Sequence, residues 1–264
     1  MNTWFDAHLH LSDSRCLPWL SHLEQTWREH GIHGSISSAA FPDEWERTLP
    51  STLPIHYAYG IHPWAAQQTT SEQLAHLNDL LQHNPAAFVG EVGLDGIRPT
   101  TDLATQHVVL NEQLQLAAAH ARPVILHGAK RWNALFDALL PWASRLPALL
   151  LHGASFSPEC LSHPLFRHST IWFSFGTTVL RTTARTVLEL AAAVPLNRLV
   201  IESDAPDGLP HGIQSPFTDT TGKMLNSSAI LPTIGERLAL LRGISIAEFA
   251  ALTTSNAETF CQRN

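Results

Sequence analysis

Lysine is almost missing from this chain: of 264 residues only Lys130 and Lys223 are lysine, and Lys and Arg together number 16 against 23 Asp and Glu. A formal charge of −7 excludes an overall basic footprint for nucleic acid. Any polyanionic substrate must be met locally, through single arginines or metal ions. Cysteine is scarce too. Cys16, Cys160 and Cys261 are odd in number, scattered and without CxxC spacing, which argues against a disulfide framework and for reduced thiols. No basic segment followed by an apolar run precedes Asp6, and no apolar run approaches membrane-spanning length, so a cytoplasmic protein that touches no membrane is expected. No GxGxxG follows the first strand-like segment, which removes the commonest signature of a doubly wound dinucleotide-binding sheet. Linkers, low-complexity stretches and short repeats are also lacking. What remains, 44% hydrophobic and 15% charged residues, is the composition of a folded globular enzyme. The length suits a single α/β barrel domain over residues 1–264.

What is present is a regular alternation. Strand-like segments are Thr3–His8, Ile32–Ser38, Ile55–Gly60, Ala87–Val92, Pro123–Leu126, Ala148–Leu151, Thr170–Phe175 and Arg198–Glu202. Helical patterns lie between them. Thr70 with Gln73 makes a capping box ahead of Leu74, Leu77 and Leu81. Leu103, His107, Leu110, Leu114, Ala117 and Ala121 share a face before Pro123 restarts the chain as a strand. Ser157-Pro158 reads as a helix N-cap and first turn, Ile230, Ile234, Leu238 and Leu241 form one stripe, and Ser245 with Glu248 forms a second capping box. Eight strands separated by helices predict a parallel (β/α)8 TIM barrel. The Gly-, Pro- and Ser-rich segment 208–223 is expected to be a loop near the site.

Barrels of this kind carry their chemistry at the C-terminal ends of the strands. His8 and His10, two apart at the end of the first strand, project to one side and can grip one divalent cation. Glu91 ends strand four, His127 strand five, His152 strand six, and Asp204 follows strand eight. Any one of these is an ordinary hydrogen-bonded residue; six nitrogen and oxygen ligand types at corresponding strand ends make a metal site.

The chain resembles the TatD family of metal-dependent deoxyribonucleases, within the amidohydrolase superfamily. The matching pieces are DAHLH at 6–10, GIHPW at 60–64, GEVGLD at 90–95, PVILH at 123–127, LLHGAS at 150–155, ESDAP at 202–206 and NAETF at 256–260. The resemblance implies a two-metal hydrolase, in which His8, His10 and Asp204 bind one cation, His127 and His152 the other, and Glu91 bridges both. Asp204 would also take the proton from the attacking water. Nitrogen and oxygen ligands leave Mg, Mn and Zn all possible. Asp6, Glu202 and Asp95 are expected to orient the ligands. His62 matches a family histidine near the substrate and is expected to contact phosphate or to donate a proton to the leaving oxygen. Trp64 and Trp132 are either base-stacking surfaces or rim packing.

Two departures touch the substrate side. Where the family carries an arginine two residues after the strand-five histidine, this chain has Ala129, which makes Lys130 and Arg131 the nearest candidate phosphate-binding cations, with Arg98 beyond strand four and Arg181 beyond strand seven. After strand six only Ser155 keeps register with the family's turn. The leading expectation is a deoxyribonuclease or phosphodiesterase acting on DNA ends or single strands, as a monomer. The alternatives are a hydrolase of a small ester, amide or lactone, and a non-catalytic metal-binding subunit.

Overall fold

In the computed structural model, residues 2–47, 49, 54–98 and 102–263 are described. Eight strands run parallel and in sequence order: β1 (Trp4–Leu9), β2 (Ile32–Ala39), β3 (Ile55–Tyr59), β4 (Phe88–Gly93), β5 (Val124–His127), β6 (Leu149–Leu151), β7 (Ile171–Phe175) and β8 (Leu199–Ile201). Each expected strand is there, its ends displaced by no more than one residue. Outside them lie α1 (Leu20–His30), α2 (Ser71–His83), α3 (Leu103–Ala119), α4 (Trp132–Leu139), α5 (Leu165–His168), α6 (Arg185–Ala193), α7 (Leu231–Arg242) and α8 (Ile246–Cys261). Every strand pairs with the next. The seam between β8 and β1 is closed just past the strands, where Asp204 N donates to His8 O (3.0 Å) and His10 N to Ala205 O (2.7 Å).

The barrel interior is filled, not open. Phe5, Ile36, Phe88, Ile125, Leu150 and Trp172 meet along the axis. At the bottom, Phe260 of α8 packs on Phe88 and Trp172, with ring centroids 5.3 and 5.4 Å apart. The polar side of α8 anchors the strand starts: Thr254 Oγ1 donates to Thr3 O, and Asn256 Nδ2 to Leu196 O and Leu199 O. The NAETF segment is therefore a plug, and it leaves only the C-terminal end of the barrel for chemistry.

Two bulges turn ligands inward. Between Asp6 and Leu9, β1 spends three residue steps against two on β2, so Phe5 and Ala7 face the axis while Leu9 faces the helices. The extra residue brings His8 and His10 over the barrel mouth. The same three-against-two count falls between Val89 and Val92 of β4, around Glu91. Here the glycines are obligatory. A Cβ at Gly90 would lie 2.6 Å from that of Ile125, and Gly93 has φ +153° with the His127 carbonyl in the way.

Some helical expectations shift. The buried face of α3 runs through Gln106, Leu110, Gln113, Leu114 and Ala117, and not through His107 or Ala121. Both glutamines hold loops: Gln113 accepts from Ile61 N and donates to Ile61 O, and Gln106 does the same for Asp95. Pro158–Ser162 is only a 3-10 turn without a Ser157 side-chain cap, because Pro164 and a second short helix follow at once. Leu241 stays 36% exposed, beside the buried Ile234 and Leu238. Thr70 and Gln73 cap α2 reciprocally, whereas Ser245 caps α8 by accepting from Glu248 N. The segment 208–223 carries no regular element and lies beyond β8. Among the described residues no single helix is long and apolar enough to cross a membrane; the bent pair Ser228–Arg242 and Ile246–Cys261, long and apolar enough only together, buries Leu238, Phe249 and Phe260 in the core.

Asp6 ties the seam from inside. It accepts from Ser203 N (2.9 Å), Ser203 Oγ (2.6 Å) and Ser228 Oγ (2.6 Å), and burial pushes its carboxyl up to about 6. Asp6→Ala would remove the acceptor of these three donors and of His8 N (3.4 Å), a cost of about 2–4 kcal/mol in urea unfolding at pH 7.5 with an unchanged m value. A loss below about 1 kcal/mol would mean that the seam closes without this carboxylate.

Candidate metal centre

The candidate ligands converge at the barrel mouth around Glu91, whose carboxylate is almost fully buried. Its two oxygens face two different groups. Oε2 lies 3.2 Å from His8 Nε2 and 3.4 Å from His10 Nε2. Oε1 lies 2.6 Å from His127 Nδ1 and 2.8 Å from His152 Nε2. Asp204 Oδ1 reaches the first group, 3.5 Å from His10 Nε2 and 3.9 Å from His8 Nε2. Asp204 is held at φ +57°, a left-handed backbone conformation that aspartate tolerates better than most residues.

The outer nitrogen of each ring decides what the inner one offers. His10 Nδ1 meets the Ser38 carbonyl (3.0 Å), His127 Nε2 meets Asp95 Oδ2 (2.9 Å) and His152 Nδ1 meets Glu202 Oε1 (3.2 Å). All three partners are acceptors, so the proton sits on the outer nitrogen and a lone pair points inward when the ring is neutral. His8 Nδ1 meets the Ser38 hydroxyl at 3.3 Å. Its Nε2, though near Glu91, is poorly angled for a hydrogen bond and stands buried without a partner among the described residues. His62 is the opposite case. Its Nδ1 accepts from Trp64 N (3.1 Å), so the neutral ring carries its proton on Nε2, 3.5 Å from Glu91 Oε1. Proximity alone groups His62 with Glu91 and His127 as a potential metal cluster. An N–H cannot be a ligand, and we place His62 outside the metal shell on that ground.

Charge follows the same pattern. Burial would raise the Glu91 carboxyl, yet the rings of His152, His62 and His8 outweigh it and hold its pKa well below the ordinary value. Burial likewise opposes ionisation of Asp204, but the His10 hydrogen bond and the neighbouring rings keep its pKa low. Without a cation the rings take protons in its stead. His10, against its burial, is raised to about 9 by Asp204 and Glu91, and His152 is raised well above its usual value by Glu91 and Glu202. His8 and His62 are lowered, first by burial; His62 falls to about 4 and is neutral at physiological pH. A neutral His62 offers an N–H at that position. An orphaned buried nitrogen, inward lone pairs and two ionised carboxylates are a donor set that fits hard or borderline divalent cations.

The residues expected to orient the ligands make different contacts. Asp95 and Glu202 bind the outer nitrogens of His127 and His152 directly. Asp6 touches no ring and acts on the backbone of His8 and Ser203. Trp64 lies at the site, its indole N–H on Asp95 Oδ2 (2.9 Å), while Trp132 packs with Phe136 and Phe156 and donates to Ser155 Oγ. A cavity of about 300 Å³ opens over the centre, with His10, His62, Glu91, His127, His152 and Asp204 in its walls. Its cations are Arg15 and Arg98; Lys130 and Arg131 are not among its lining residues. The chain turns away at Lys130, which has φ +53°, and the Arg131 side chain lies against Gly96. Arg15, missed by sequence reasoning, has no motif around it and comes to the rim only through folding.

Because His10 and His152 hold protons that a cation must displace, metal affinity is expected to fall as pH falls below about 9, by about tenfold per unit for each proton released. Calorimetric titration with Zn or Mn in buffers of different ionisation enthalpy measures the release directly. Affinity that does not change between pH 6 and 8.5 would contradict these ring assignments.

A family model described as "TatD related DNase" matches residues 5–262. Among curated relatives, the "3'-5' ssDNA/RNA exonuclease TatD" of Erwinia tasmaniensis is 30% identical over 262 residues, covering 96% of this chain and 97% of that one. The "uncharacterized metal-dependent hydrolase YabD" of Bacillus subtilis is 28% identical over 214 residues, 80% and 78% of the two chains. Among solved structures, the TatD homologue YJJV of Escherichia coli K12 superposes with a TM-score of 0.83 at 25% identity, covering 97% of both chains. With the barrel, the strand-end ligand types and these likenesses together, the chain belongs to the TatD-related DNase family.

Proposed function

We infer that this chain is a divalent-metal-dependent nuclease that removes nucleotides from the ends of single-stranded DNA or RNA, in the 3′ to 5′ direction that the names of its curated relatives carry. The observation that carries the reading is the Glu91 carboxylate, with one oxygen toward His8 and His10 and the other toward His127 and His152. In this reading His8, His10 and Asp204 hold one cation, His127 and His152 the second, and Glu91 both. Bound divalent cations supply positive charge that polarises the phosphoryl oxygens and acidifies the attacking water.

The chain's own groups do the rest. Asp204, open to the cavity with 37% of its side chain exposed, accepts the proton of the water. The His62 Nε2–H, fixed by the Trp64 amide, donates a hydrogen bond to a phosphoryl or leaving oxygen. A cavity of about 300 Å³ is on the scale of a small-ligand site, which favours a strand end over a duplex. Hydrolysis of a small ester is the second reading, because two of the rim carboxylates, Asp13 and Asp207, already neutralise Arg15. The full set of ligand types argues against a non-catalytic scaffold. We place the protein in the cytoplasm, as a monomer.

In a metal-replete protein, Asp204→Asn is expected to lower kcat on a labelled single-stranded oligonucleotide by at least about 100-fold. Running 3′- and 5′-labelled strands side by side reads the polarity: a ladder from the 5′-labelled strand with immediate loss of the 3′ label gives 3′ to 5′. Near-normal turnover of Asp204→Asn at full metal content would move the proton to another group.

A further inference from the structure

The usual strand-five position for a phosphate-holding cation is Ala129 here, and among the cavity's lining residues only Arg15 and Arg98 carry a guanidinium. Arg15 does not fill the gap. Its guanidinium is spent on Asp13 Oδ2 (2.6 Å) and Asp207 Oδ1 and Oδ2 (2.9 and 2.8 Å). Arg98 is different. Its guanidinium carbon lies 3.6 Å from the ring centroid of Trp64, and among the described residues its side chain has no carboxylate partner. A guanidinium stacked by its face keeps its N–H edges free, so stacking fixes the plane without consuming the donors.

That plane is registered to the metal centre through one carboxylate. Asp95 Oδ1 accepts from the Arg98 backbone N (2.8 Å) and from Ile97 N (2.6 Å). Asp95 Oδ2 takes the indole N–H of Trp64 and meets Nε2 of His127. Gln106 of α3 holds the Asp95 backbone from behind. The cation, its aromatic platform and a proposed metal ligand are thus positioned by the same buried residue.

We propose that Arg98, carried on Trp64, is the phosphate-holding cation of this active site, gripping a backbone phosphate of a single-stranded nucleic acid next to the one being cleaved. Trp64 and Asp95 are its positioning residues. This rests on the nuclease reading for its substrate, but it concerns binding, which can be measured apart from cleavage.

The test uses the metal-loaded full chain and a fluorescent single-stranded oligonucleotide, with phosphorothioate linkages for binding by anisotropy and natural linkages for turnover. Arg98→Ala is expected to weaken binding and raise KM about tenfold at low salt, as for loss of one charge-assisted contact, with kcat within about twofold. The slope of log affinity against log salt should flatten by about 0.7, the share of one phosphate on a single strand. Arg98→Lys should restore that slope but only part of the affinity, since the ammonium keeps the charge and loses the fork. Trp64→Ala should raise KM too, and adding Arg98→Ala to it should cost less than Arg98→Ala alone. Unchanged affinity and salt slope in Arg98→Ala would overturn the proposal, as would loss of the slope only in Lys130→Ala/Arg131→Ala. Additive Trp64 and Arg98 effects would overturn the platform. A wild-type protein that binds the strand without cleaving it would remove the nuclease reading and leave Arg98 to be judged by its slope; one that neither binds nor cleaves would remove both.

Discussion

The site depends on how the barrel is shut. β1 and β8 are the first and last strands of the sheet, and their seam is closed by Asp204 N to His8 O and His10 N to Ala205 O. Those two hydrogen bonds join backbone of the residues that become the metal-ligand candidates from opposite ends of the chain. Closing the barrel and assembling the centre are one event. Asp6 reinforces it from the interior, through Ser203 and Ser228. The left-handed backbone at Asp204 is maintained because its own amide is bonded across the seam and its carbonyl accepts from Asp207 N.

Around that closure the rings are sorted by their outer partners. Acceptors behind His10, His127 and His152 aim lone pairs at Glu91, while an amide N–H behind His62 aims a proton there instead. Five imidazoles that look alike in the sequence therefore have two kinds of chemistry. The buried Glu91 stays ionised because positive charge surrounds it, carried by protonated rings in the bare protein. A divalent cation offers the same charge more compactly, which is why proton release and metal uptake are coupled here.

The departures from the family pattern fall outside this shell. Ala129 gives up its side-chain role, although its carbonyl still accepts from Gly96 N. Ser155 is taken up by the Trp132 indole. In the turn after β4, Asp95 organises Arg98, Trp64 and His127 together. Among the described residues, charge on the rim is paired at Arg15 and has no carboxylate partner at Arg98.

Much of this was legible in residue order. Eight apolar segments with helix patterns between them specified the barrel, because a parallel strand buried on both faces must be apolar and must be followed by a crossover. Polar ligand types at the segment ends specified a metal centre, since nothing else places His, Glu and Asp so regularly at one rim. Other features depend on distances that sequence spacing does not encode. The bulges at His8 and Glu91, the inward faces of Gln106 and Gln113 and the Phe260 plug arise from how strands and helices fit. Which cations line the cavity was decided likewise: Lys130 and Arg131, close to His127 in sequence, are not in its walls, and Arg15 and Arg98 from the loops after β1 and β4 are. Composition and periodicity determined which atoms this protein has for binding metal; the folded backbone decided which nitrogen of each ring faces the centre, because a tautomer is set by a partner that arrives from another strand.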